Sequence, residues 1–249
     1  MKKLNVIKLG GSILQNKAFR LGFLKEITKI FKSEDVLLVH GGGKDINQWL
    51  EAAGLKPKFV NGLRYTDEKT AEIVEMVLSG KVNKQIVGEL NQLGCGSVGV
   101  SGKDAGSVIC KKIKKLGFVG EPAKVNNGLL KILLANKFLP VVSPLALGPA
   151  FETLNVNADS MANALAASFR ADRLIFITDV KGVLDRDRTT IPAIKTLEIE
   201  RLIKEKAITG GMIPKILACG DAIKKGVSTV WIVNGIKGLK TPMGTFITK

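Results

Sequence analysis

The chain has 249 residues, 45% hydrophobic and 24% charged, a globular rather than a disordered composition. Lys and Arg number 38 against 22 Asp and Glu, a formal net charge of +16, which fits nucleic acid, acidic lipid or an anionic small substrate as partner. The aromatics (10 Phe, 2 Trp, 1 Tyr) are spread out, there is no long Lys/Arg block, and no apolar run reaches the roughly 18 residues a membrane span needs, so nucleic acid and membrane are both set aside.

Short apolar runs alternate with helical patterns, which predicts an α/β chain. The opening MKKLNVIKLGGS reads as a strand over Leu4–Leu9 rather than a signal peptide, because its apolar stretch is short and runs into Gly-Gly. A helix over Leu21–Phe31, a strand over Asp35–His40 and a helix over Asp45–Ala53 follow. Thr66 and Asp67 stand where a long helix can be capped; it carries Ala71, Ile73, Val74, Val77 and Leu78 and ends near Leu93, before Gly94. Beyond it come a strand over Gly96–Ser101, a hairpin-like region to Val125, a helix over Asn126–Asn136 and a buried strand opening Pro140–Pro144.

The remaining elements are helices over Asp159–Arg170, Leu197–Lys206 and Gly211–Lys225, and strands over Leu174–Thr178, Ser228–Val233 and, as a last edge strand, Gly244–Thr248. The point best suited to a boundary is Ala171, dividing an N-terminal lobe, residues 1–170, from a C-terminal lobe, 171–249, on one continuous sheet.

Cys95, Cys110 and Cys219 are too few and too scattered for a disulfide framework or a zinc knuckle, and they point to a reducing, cytoplasmic setting. One histidine, His40, leaves a Ser-His-Asp hydrolase a single possible base. Gly94-Cys95-Gly96-Ser97-Val98-Gly99 matches the dinucleotide fingerprint, but it follows a helix and enters a strand, the reverse of what that site requires. No Walker-type phosphate loop is present.

Chemistry therefore rests on Lys, Arg, Asp, Asn and backbone amides. Gly10 and Gly11 follow the first strand, and Gly41, Gly42 and Gly43 follow the second; both turns would lie at the carboxyl edge of a parallel sheet, where glycine lets amides approach an anion. Lys8 lies inside the first strand, either on its polar side or aimed at a transferring phosphate. Asn155 and Asp159 flank a helix start, and Asp159 either caps that helix or holds lysines in place. Lys215 falls in the first turns of a helix, where the dipole disfavours a cation.

KLGGS, HGGG, NGLRYTD, GKVNK, SGKD, LGFVGE, VVSPLA, NVNAD, ITDVKGVLD and GGMIPK, in this order, resemble the amino-acid kinase family, within which the substrate motifs are most similar to those of enzymes acting on N-acetyl-L-glutamate. The resemblance implies a three-layer α/β/α sandwich around a mainly parallel sheet, usually dimeric. It implies transfer of the γ-phosphoryl group of ATP, with Mg²⁺ carried by the nucleotide, to the side-chain carboxylate of N-acetyl-L-glutamate, a step of arginine biosynthesis. By motif, Lys8 and Lys215 stabilise the transition state and Asp159 orients them. Gly41 and Gly42 bind substrate, Arg64 grips its α-carboxylate, and Asn155 holds the acetamido group or the neighbouring carboxylate. Gly10, Gly11, Thr178, Asp179, Lys181, Gly182 and Val183 line the ATP side. The N-terminal lobe would bind the amino-acid substrate and dimerise, and the C-terminal lobe would bind nucleotide.

The start of the chain at its first strand and its short C-terminus suggest a homodimer without arginine feedback, since arginine-inhibited relatives carry an extra N-terminal helix. Two alternatives are a kinase for aminoadipate or glutamate carried on a small acidic protein, which the basic charge would suit, and a non-catalytic nucleotide-binding module. Gly62-Leu63-Arg64 and Asn157-Ala158-Asp159 favour free N-acetyl-L-glutamate over the first; the presence of Lys8, Asp159 and Lys215 argues against the second.

Overall fold

The computed structural model describes residues 2–178, 181–209, 212–234, 239 and 243–249. In chain order its elements are β1 (Leu4–Leu9), α1 (Gly11–Gln15), α2 (Lys17–Phe31), β2 (Asp35–His40), α3 (Gly43–Ala52), β3 (Phe59–Val60), β4 (Leu63–Arg64), α4 (Glu68–Glu75), α5 (Asn83–Gln92), β5 (Ser97–Ser101), β6 (Val108–Lys112), β7 (Val119–Val125), α6 (Gly128–Ala135), β8 (Leu139–Ser143), β9 (Leu145–Leu147), β10 (Thr153–Val156), α7 (Ala158–Phe169), β11 (Arg173–Thr178), β12 (Ala193–Lys195), α8 (Ile199–Lys204), α9 (Met212–Lys224), β13 (Thr229–Asn234) and β14 (Gly244–Thr248). By contacts they form two compact units, Met1–Val36 with Ala162–Lys249, and Leu37–Met161. A single cut near Ala171 does not describe this division. β1 pairs in parallel with β11 over Asn5–Leu9, which returns the N-terminal segment to the C-terminal part of the chain.

In the first unit β1, β11 and β13 run parallel, with Lys8 opposite Phe176 and Phe176 opposite Ile232. Their apolar residues are almost wholly buried, as expected of strands covered on both faces. β14 has the bounds read from sequence but is not the edge: it pairs antiparallel with β13 and parallel with β12. β12 is only three residues long, too short for an alternation pattern to reveal it. β1, β11 and β13 end at Leu9, Thr178 and Asn234, so their carboxyl ends share one edge.

In the second unit β2 and β5 flank β8, all three parallel. β6, β7, β9 and β10 close into a small barrel, of which the β6–β7 hairpin was legible and the short β9 and β10 were not. The long helix begins where predicted. Asp67 accepts from the Thr70 amide at 2.9 Å, and the Thr70 hydroxyl, followed by that amide, holds its carboxyl below the usual range. The helix ends before Gly94, whose φ of +75° is the left-handed stop that glycine adopts readily. Between α4 and α5 it passes through a π-helical segment, Met76–Val82, that a 3.6-residue period does not foresee.

Candidate active site

Gly41, Gly42 and Gly43 follow β2 at the carboxyl edge of the second unit, and with Arg64, Pro144, Asn155 and Asn157 they line a cleft of about 190 Å³. Four residues singled out in the sequence as substrate-binding, Gly41, Gly42, Arg64 and Asn155, therefore meet in one cavity. Gly42 is needed for space, since a Cβ there would lie 2.5 Å from Leu78 Cδ2, itself buried in the cleft wall. Gly43 has open space around it, and its carbonyl is an acceptor for Arg64.

Arg64 is the cation of the cleft. It is 8% exposed, and its Cζ lies 4.8 Å from the centre of the Phe59 ring. Its Nη2 donates to Gly43 O at 3.2 Å and to Asn47 Oδ1 at 2.6 Å, both neutral acceptors, while Nη1 has no hydrogen-bond partner. Burial pushes the guanidinium pKa down from its ordinary value. A buried cation at the cleft wall, held only by neutral groups and with one buried amino group unpartnered, is arranged to receive an anion, and a carboxylate matches its fork. Asn155 stands beside it on β10, its Nδ2 donating to Thr66 Oγ1 at 3.2 Å, and Thr66 Oγ1 donates to Arg64 O at 3.1 Å.

Asn157 caps α7: its Oδ1 accepts from the amides of Asp159 at 2.8 Å and Ser160 at 3.2 Å. Capping is thus not the task of the Asp159 carboxylate. Asn157, Asn47 and Phe59 belong to the cleft and were not singled out in the sequence. Asn157 was within reach, two residues beyond Asn155 in the same motif. Asn47 gives no local signal beyond its place one helical turn after Gly43.

In the first unit, Lys8 and Phe176 are register partners, so their side chains leave the same face of the sheet. Lys215, in the first turn of α9, places its Nζ 5.5 Å from the centre of the Phe176 ring. The two lysines are thereby gathered around one aromatic. Lys8 Nζ also lies 3.9 Å from the point a Gly10 Cβ would occupy, and that Cβ would be only 2.7 Å from Ile177 O. The Gly10 amide donates to Ile177 O at 3.1 Å, so Gly10 serves close approach of backbones, and Gly11 opens α1 beyond it.

Thr178 ends β11 at the same carboxyl edge. Lys181 is exposed, whereas Gly182 and Val183 are buried. Gly182 has φ +133° with Thr190 and Thr245 within 3 Å of a Cβ position, and the Val183 amide donates to Thr245 Oγ1 at 2.8 Å, so the structure gives this pair a packing role. Asp179 lies outside the described residues.

One α/β unit thus holds a cleft with a buried cation, and the other holds Lys8 on β1 and Lys215 on α9 on the side of Phe176. Residues 3–234 match the amino acid kinase family, and the chain belongs to that family. It is 48% identical over 249 residues, the full length of both chains, to the acetylglutamate kinase of Endomicrobium trichonymphae. It is 44% identical to that of Campylobacter hominis over 236 residues, 94% of this chain and 83% of the relative. Among solved structures it resembles smu.665 from Streptococcus mutans UA159, with a TM-score of 0.85 and 31% identity over 100% of this chain and 99% of the other.

Proposed function

We propose that this chain, like the relatives named acetylglutamate kinase, acts on N-acetyl-L-glutamate, transferring the γ-phosphoryl group of MgATP to its side-chain carboxylate to form an acyl phosphate in arginine biosynthesis. The observation that carries the reading is Arg64, a guanidinium buried in the cleft wall with one amino group unpartnered and no anionic partner among the described residues. It grips the substrate α-carboxylate, while Asn155 and the amides of Gly41–Gly43 hold the acetamido group and reacting end. A side-chain carboxylate oxygen attacks the γ-phosphorus, the bond to the β-phosphate oxygen breaks, and ADP leaves.

The nucleophile is already ionised, so no general base is required. This suits a protein whose one histidine is fully buried and driven down to a pKa of about 4 by desolvation. The obstacle is repulsion between two anions. Lys8 and Lys215 offset the charge that develops on the transferring group, and Asp159 orients them. The unit Leu37–Met161 takes the amino-acid substrate, and Gly10, Gly11, Thr178, Asp179, Lys181, Gly182 and Val183 serve the nucleotide with its Mg²⁺.

The protein acts as a homodimer in this reading: an apolar groove of about 360 Å³ between α3 and the π-helical segment, lined by Trp49, Ile73, Met76 and Val77, is surface that a second copy would cover. No described helix is long and apolar enough to cross a membrane. ADP release with and without N-acetyl-L-glutamate tests the activity. Release that depends on N-acetyl-L-glutamate is expected, and equal release without it would refute the proposal.

A further inference from the structure

We propose that His40 and Asn83 are positioning residues of the cleft, a buried chain from Asn83 through His40 to the Gly41 carbonyl that turns the Gly42 N–H toward the substrate. The identity of that substrate rests on the proposed function; the geometry of the chain does not.

His40 is the last residue of β2 and is wholly buried. Its Nδ1 lies 2.7 Å from Gly41 O and its Nε2 lies 3.2 Å from Asn83 Nδ2. Asn83 Nδ2 also donates to Val141 O at 2.8 Å. A carbonyl oxygen only accepts, so Val141 O settles which end of the Asn83 amide faces inward. That amide nitrogen only donates, so His40 Nε2 must accept, and the ring proton must be on Nδ1, where it donates to Gly41 O. Each group in this row has one consistent state, and the imidazole is neutral in it.

The consequence for the cleft follows from the trans peptide. Carbonyl oxygen and amide hydrogen point to opposite sides of a planar trans unit, and no described peptide bond is cis. With Gly41 O pinned inward on His40, the Gly42 N–H points away from the core, on the side where Gly41, Gly42 and Gly43 line the cleft. Releasing Gly41 O lets that peptide rotate, and glycine offers little steric resistance to rotation.

The rest of the neighbourhood is built around Asn83. Its backbone amide donates to Leu78 O five residues back, so the π-helical turn delivers it. The same turn places Leu78 against Gly42 and Ser79 Oγ 2.8 Å from Ser143 Oγ, one residue before Pro144 in the cleft wall. Asn83 Oδ1 is buried without a hydrogen bond and rests against Gly99, where a Cβ would be only 1.9 Å away. A buried carboxamide kept with half its capacity unused is held for its other half.

The lone histidine makes a clean test, because its ¹⁵N imidazole signals need no assignment. In the wild type the spectrum should show the neutral Nδ1–H tautomer alone from pH 8 to pH 5.5, Asp45 nearby being paired with Lys81. Asn83→Leu should give a mixture of tautomers. A wild-type Nε2–H tautomer, or an imidazole titrating in the usual range, would overturn the proposal. In kinetics, His40→Phe should lower kcat/KM for N-acetyl-L-glutamate by about 10²-fold, the scale of a misplaced positioning group. The ATP KM should stay within about twofold. The two residues act in series, so His40→Phe with Asn83→Leu should fall no further than His40→Phe alone. Equal shifts for both substrates would reveal a merely structural role and overturn the proposal. Wild-type protein silent on N-acetyl-L-glutamate would instead defeat the proposed function, and the imidazole spectrum would still decide the chain.

Discussion

Replacing Arg64 by Met keeps an unbranched apolar stem and removes the charge, and the structure makes opposite forecasts for folding and for binding. In the free protein the change deletes two hydrogen bonds, to Gly43 O and Asn47 Oδ1. Bonds to a charged group contribute about 1.5–3 kcal/mol each. It also removes the desolvation of a buried cation, the same burial that lowers the pKa of Arg64. These terms oppose one another, and neither Gly43 nor Asn47 is fully buried, so water can satisfy the freed acceptors and the net change in stability should stay within about 1 kcal/mol, or about 2–4 °C in Tm for a chain of this size. Binding has no such compensation. Loss of a bidentate grip on a carboxylate should cost about 3 kcal/mol or more, about 150-fold in KM at 1.36 kcal/mol per decade. Because Arg64 holds the substrate alike in ground and transition states, kcat should fall by less than about tenfold. Coupled ADP release and calorimetry on the same preparation give all three quantities. A KM within about threefold of wild type, or a large fall in Tm with KM preserved, would show the guanidinium to be a structural group and refute the reasoning.

Lys8→Ala and Lys215→Ala should each lower kcat by about 10²–10³-fold with folding intact, because both act on charge that develops during transfer. Near-normal turnover in both would refute their roles. The folded protein holds His40 neutral with a pKa of about 4, below the ordinary 6.5. The unfolded chain therefore binds the extra proton between those values, stability rises with pH across that window, and the contribution is lost as pH falls from 6.5 toward 4. Urea unfolding should give a stability about 2 kcal/mol lower at pH 5 than at pH 7.5, and the slope should shrink in His40→Phe. Gly10→Ala should destabilise the protein by about 1–3 kcal/mol through overpacking, since its Cβ would lie 2.7 Å from Ile177 O; an unchanged Tm would contradict this.

What could be read in the sequence was whatever local pattern or motif carries. The strands β2, β11 and β13 have continuous apolar centres and β1 is broken only by Asn5 and Lys8, the α4–α5 helix is marked at both ends by Asp67 and Gly94, and the glycine turns follow the strands that hold them. Gly41, Gly42, Arg64 and Asn155 could be named because motif order carried them, and the structure brings them to one cleft. What escaped depends on contacts between distant residues. Asn47 matters through Arg64, seventeen positions on, and His40 through Asn83, forty-three positions on. Neither has a periodicity that betrays it. The π-helical segment breaks the very period used to find helices, and β9 and β12, three residues each, are defined by their partners rather than by their own alternation. Gly182 and Val183 were named by their motif alone; the structure adds that both are tightly packed against Thr245.

The central claim is that a carboxylate of free N-acetyl-L-glutamate is the phosphoryl acceptor. The most direct test is to incubate the protein with MgATP and N-acetyl-L-glutamate in hydroxylamine, which captures an acyl phosphate as its hydroxamate. Glutamate, aspartate, carbamate, UMP and a carrier-linked glutamate run in parallel. Hydroxamate formed with N-acetyl-L-glutamate, in step with ADP and not with the other acceptors, is the predicted result. ADP release without hydroxamate, or turnover confined to the carrier-linked compound, would contradict it.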